Sequence, residues 1–160
     1  MPDEDSLLKV ALYRAGTIDK TYYFILNKDG TLEVALGERK NNDISSSGLL
    51  KVISESKSKQ LTSLEFDELL EHADEIEMNT ESLKKITMKD GWDVIVYYNS
   101  ISYELNYTKS QEAINGVPLY IVSQLIDFLI DKSPVEVDFN NLYWHYNSFP
   151  KLVTNDKKTS

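Results

Sequence analysis

Residues 92–107, WDVIVYYNSISYELNY, pair with themselves in one register. A two-residue turn at Asn99-Ser100 sets Tyr98 opposite Ile101, Val96 opposite Tyr103, Val94 opposite Leu105 and Trp92 opposite Tyr107. Strand side chains alternate between faces, so these eight apolar or aromatic residues share one face. The other face pairs Tyr97 with Ser102, Ile95 with Glu104 and Asp93 with Asn106. A slip of one residue would mix the two sets, so the hydrophobic pattern itself specifies the pairing. Asn-Ser is a weaker turn signal than Asn-Gly, which leaves the register resting on the side chains. Trp92, Tyr98, Tyr103 and Tyr107 are therefore expected in the core, with Tyr97 the one ring left as a candidate surface contact.

A hairpin with one apolar face needs a cover, and the chain supplies two helices. Thr62 followed by Glu65 forms a capping box, and Phe66, Leu69, Leu70, Ala73 and Ile76 then recur at helical spacing up to Met78. A second helix begins at Pro118, where a missing amide hydrogen costs nothing, and stops before Pro134. Its apolar residues surround most of the circumference, leaving a narrow polar stripe of Tyr120, Gln124, Asp127 and Asp131.

The opening third reads as an antiparallel meander: LLKVALYR at 7–14, TYYFILN at 21–27 and TLEVALG at 31–37, with Asp29-Gly30 turning the chain between the last two. Residues 37–48 are polar and rich in Ser and Gly, the signature of a mobile loop. LLKVISESKSKQL, from residue 49, alternates in a way that favours an edge strand studded with lysines. VEVDF at 135–139 is expected to be a last strand, and the aromatic NNLYWHYNSF to pack back. The fold class expected is α+β: a largely antiparallel sheet of five to seven strands with two helices on one face. Residues 1–150 form a single domain in this reading, and 151–160 a frayed polar tail.

Composition narrows the function. With no cysteine, disulfides, thiolate nucleophiles and cysteine metal sites are excluded. A net charge of −9 argues against nucleic acid or an anionic membrane as partner, and Arg14 and Arg39 stand outside any basic cluster. No apolar run reaches the roughly 18 residues that would span a bilayer. The acidic N-terminus lacks the layout of a signal peptide, which predicts a cytoplasmic protein, or an extracytoplasmic one whose leader has been removed.

Reactive motifs are sparse. NKDGT at 27–31 places Asn27 where an aspartyl nucleophile would stand, and an EF-hand frame puts Ile25 and Leu36 at the positions of two key carboxylates. A hairpin turn accounts for it. His72 lies between Glu68 and Glu75 on one helical face, a spacing more typical of a solvated surface than of a metal site. His145, in YWHYN, has no second histidine nearby. There is no G-x-S-x-G elbow, P-loop, G-x-G-x-x-G or H-E-x-x-H. What stands out is charge: between Leu61 and Glu81 lie eight carboxylates and no lysine or arginine.

Four fragments, YRAG at 13–16, DGTL at 29–32, DGWDV with YYN at 90–99 and SPVEVD at 133–138, together resemble a group of small uncharacterised proteins of gut-dwelling Firmicutes. The preference for lysine over arginine is consistent with a low-GC genome, and YWHYNSF lies beyond the shared pattern. The resemblance implies a common fold and no activity. The functional expectation is a non-catalytic binding module without cofactor or metal. Its partner is a basic protein or a small ligand, met through Glu68, Glu71 and Glu75 in the manner of an immunity or inhibitor protein, with Tyr97 as a further contact. The rival expectation is a small hydrolase using a carboxylate and His145. Oligomeric state is not written in the sequence.

Overall fold

The structure, a computed structural model, describes residues 6–14, 20–41, 44, 49–83, 92–107 and 120–137, with the side chains of 106 and 107 excepted. Its elements are β1 (Ser6–Arg14), β2 (Thr21–Asn27), β3 (Thr31–Arg39), β4 (Leu50–Gln60), α1 (Ser63–Met78), α2 (Thr80–Leu83), β5 (Trp92–Tyr98), β6 (Ile101–Tyr107) and α3 (Tyr120–Lys132). Six strands form one sheet in the order β4-β3-β2-β1-β5-β6, and every neighbouring pair is antiparallel. The first four strands are a meander. The helical connection then carries the chain to the far side of β1, where the β5–β6 hairpin completes the sheet. This is the α+β class that the pattern predicts.

Turn chemistry fixes the first hairpin. Gly30 has φ +88°, its amide donates to Asn27 O at 3.0 Å, and Thr31 N donates to Asp29 Oδ1 at 2.9 Å. At the β5–β6 turn both Asn99 and Ser100 adopt left-handed φ values, 53° and 65°, the twist that two-residue hairpins favour. All seven β5–β6 pairs fall in the register that the alternation predicts, from Tyr98 with Ile101 to Trp92 with Tyr107.

One sheet face carries Leu8, Val10 and Leu12 of β1, Tyr22, Phe24 and Leu26 of β2, Leu32 and Val34 of β3, and Trp92, Val94, Val96 and Tyr98 of β5. Leu69, Ala73 and Ile76 of α1 cover it, together with Ile121, Val122, Leu125, Ile126 and Leu129 of α3. Gln124, Asp127 and Asp131 of α3 stay exposed, as its polar stripe requires. Trp92, Tyr98 and Tyr103 are buried, so the aromatic stripe is core; the Tyr107 side chain lies outside the described residues.

The opposite face is also covered. Ala11, Tyr13, Tyr23 and Ile95 form a second buried cluster with Ile44 and Leu49, two residues from the β3–β4 connection. Lys9 points to this side and is fully buried, its Nζ 5.4 Å from the Tyr97 ring centroid. The polar stretch expected from residue 37 begins later, because β3 continues to Arg39 and Ile44 beyond it is buried. Gly37 sits at a bulge where β4 approaches closely: a Cβ there would lie 2.0 Å from Val52 O.

The last expected strand does not form over residues 135–137; its remaining residues, Asp138 and Phe139, lie outside the described residues. Instead, Val135 N donates to Ser133 Oγ at 3.1 Å, a local bond that competes with strand pairing, and the Val135 side chain plugs the core.

Ser100 holds a conformation that glycine adopts at lower cost, the left-handed region being unfavourable by roughly 1 kcal/mol for a residue with a Cβ. Ser100→Gly is expected to raise stability by about 1 kcal/mol in urea titration; a loss of stability would contradict the turn geometry.

Candidate functional site

The carboxylates of α1 fall into two groups. Three hold the helix in place. Glu65 closes the capping box, accepting from Thr62 N at 3.0 Å while Thr62 Oγ1 accepts from Glu65 N at 3.1 Å. Glu65 also meets Lys132 Nζ at 3.4 Å, so the start of α1 lies against the end of α3 and the two helices run antiparallel. The Thr62 amide, ahead of Lys132, holds the Glu65 carboxyl below its usual range, and Asp131 followed by Glu65 raises Lys132. At the other end, Tyr98 OH donates to Asp74 Oδ1 and Asn99 Nδ2 donates to Glu77 Oε1 at 3.0 Å. These two bonds tie the C-terminal half of α1 to the β5–β6 hairpin.

The second group faces solvent. Asp67, Glu68, Glu71 and Glu75 are exposed along three turns of α1. Glu68 lies 3.8 Å from His72 Nε2, and no ion pair reaches Asp67, Glu71 or Glu75 among the described residues. Asp127 and Asp131 of α3 lie exposed on the same layer, where Lys132 is already flanked by Glu65 and Asp131. Among the described residues, both helices therefore carry exposed carboxylates.

His72 does not build a metal site with its neighbours. Its ring is inclined to Phe128 with centroids 5.5 Å apart, which turns it toward α3. Among the described residues no group of three or more His, Asp or Glu is placed to hold a metal ion. His145 lies outside the described residues.

Glu68, Glu71 and Glu75 thus share one surface, but Tyr97 is not part of it. Tyr97 is half-buried on the opposite sheet face, packed against the second cluster with Lys9 over its ring. That face holds what the sequence reading missed. The Arg39 guanidinium stacks 3.7 Å from the Tyr13 ring centroid, and its Nη1 donates to Thr21 Oγ1 at 3.0 Å. Burial, reinforced by Asp93, raises the Tyr13 phenol, and burial lowers Arg39. The available signal was TYYFILN: a strand with Tyr23 and Ile25 on one side and Tyr22, Phe24 and Leu26 on the other is apolar on both. No family model matches the chain, and no curated protein matches it. No helix among the described residues is long and apolar enough to cross a membrane.

Tyr98 ties helix and hairpin together in a pH-dependent way. Burial first, and the bond to Asp74 second, raise its phenol well above the ordinary value near 10. A raised folded-state pKa contributes stability that is full below the unfolded value and lost as pH climbs through the folded one. Stability is therefore expected to fall above roughly pH 10. Tyr98→Phe should cost about 1 kcal/mol at neutral pH and flatten part of that alkaline fall, to which Tyr13 also contributes. Urea titration across pH checks both effects; an unchanged alkaline slope would refute this role.

Proposed function

We propose that this protein is a non-catalytic interaction module that docks a basic protein through the exposed carboxylates of α1, in the manner of an immunity or inhibitor protein. The observation that carries this reading is that the acidic stripe opposes the stability of its own helix. Asp67 with Glu71, and Glu71 with Glu75, are like charges one turn apart, each pair unfavourable by roughly 0.2–0.5 kcal/mol. Glu75 and Glu77 lie near the negative end of the helix dipole, and the last turn has no basic residue. Glu65, Asp74 and Glu77 serve the fold through their bonds, whereas no ion pair reaches Asp67, Glu71 or Glu75 among the described residues.

A surface kept at a cost to folding fits a role in association. Carboxylates on a rigid helix steer a cationic partner toward its site and disfavour wrong partners of like charge. Rigidity comes from the capping box at one end and the Asp74 and Glu77 bonds at the other, so little conformational freedom is lost on docking.

The triple variant Glu68→Lys, Glu71→Lys, Glu75→Lys separates folding from docking. Its melting temperature is expected to stay level or rise, because Asp67 and a lysine at 71 then attract and a lysine at 75 suits the negative end of the helix dipole. These gains offset the repulsion that persists between residues 71 and 75 and the lost contact of Glu68 with His72. Capture of a basic partner in pull-down at low salt is expected to fall about tenfold or more. Capture equal to that of the unmodified protein would sink the proposal.

A further inference from the structure

The sheet ends at β4, and no strand among the described residues pairs with its outer edge. Nine of its eleven residues are exposed, on both faces of the strand. Two of them, Val52 and Ile53, are large apolar residues at 52% and 59% exposure. An outer edge of this length presents a row of backbone donors and acceptors on which another strand can pair.

We propose that β4 pairs with β4 of a second copy, antiparallel about a two-fold axis at Ser56, so that two sheets become one. The argument is register. Over Glu55–Gln60 the strand alternates regularly against β3: Glu55, Lys57 and Lys59 oppose Leu36, Val34 and Leu32 and share the helix-covered side. An axis at Ser56 sets Glu55 of each copy opposite Lys57 of the other, and Ser54 opposite Ser58. An axis at Glu55 brings two carboxylates face to face. An axis at Lys57 opposes two ammonium groups, and one at Ser58 opposes Lys57 with Lys59. An axis at Lys57 also sets Glu55 opposite Lys59, but directly opposed like charges are destabilising, and of these four registers the one at Ser56 alone opposes no like charges.

Lysines on an edge commonly keep strands apart. Here Lys57 already lies 3.4 Å from Glu55 in its own strand, and Lys51 lies 3.1 Å from Glu38, so two of the three lysines arrive with an anion beside them. The net charge of −9 opposes association at long range, but salt screens it beyond roughly 8–10 Å, whereas the cross-strand pairs are in direct contact. Because opposed residues of an antiparallel pair lie about 4.5–5.5 Å apart at Cα, the two copies of residue 56 meet at the axis.

The test uses the full chain. Sedimentation equilibrium across a wide concentration range is expected to show a reversible dimer. Glu55→Lys and Lys57→Glu should each weaken it about tenfold, and the double reversal should restore it. The chain has no cysteine, so Ser56→Cys should cross-link into a covalent dimer on oxidation while Ser63→Cys, on α1, should not. A monomer at every concentration would overturn the proposal, as would a dimer that neither single reversal weakens or that Ser56→Cys fails to trap. The α1 reversals are expected to leave the dimer intact, which keeps this outcome separate from partner docking.

Discussion

β1 is covered on both faces and paired on both edges, and the rest of the fold is organised around that condition. Its two edges join the opening meander to the β5–β6 hairpin. Leu8, Val10 and Leu12 supply the middle of the helix-covered core, while Lys9, Ala11 and Tyr13 supply the second layer. A strand in this position cannot slip by one residue, because that shift would carry the Lys9 side chain into the apolar core beneath the helices. Burying an amine without partners costs several kcal/mol, and the ring of Tyr97 below its Nζ is one of the groups that offsets this.

Two-sided burial also accounts for what was legible in the sequence. The β5–β6 register was readable because Trp92, Val94, Val96 and Tyr98 fall opposite Tyr107, Leu105, Tyr103 and Ile101, which makes one face wholly apolar or aromatic, while Asp93, Glu104 and Asn106 share the other. The capping box of α1 was readable because Thr62 and Glu65 act within one turn. Lys9 was not readable as buried: the cover over its face comes from residues distant in sequence, among them Leu49 and also Ile44, in a stretch that composition marks as loop. The strand expected at 135–139 failed over its described residues for a local reason, the Ser133 turn, which propensity does not weigh.

The candidate site was legible in part. Glu68, Glu71 and Glu75 do share a solvent face, since helical spacing alone decides that. Which carboxylates of the same helix serve folding was not legible, because Asp74 and Glu77 find their donors on a hairpin more than twenty residues away. One set of carboxylates on the helix is engaged in bonds and another is exposed. Tyr97 belongs to the opposite layer, where it neighbours Lys9.

The claim that β1 is buried on both faces is tested most directly by lysine reactivity. Acetylation of the native protein, followed site by site with mass spectrometry, compares Lys9 with the exposed Lys28, Lys40, Lys51, Lys57 and Lys59. Lys9 is expected to stay unmodified until the protein is unfolded, while the others react at once. Modification of native Lys9 at the rate of Lys51 would contradict the account.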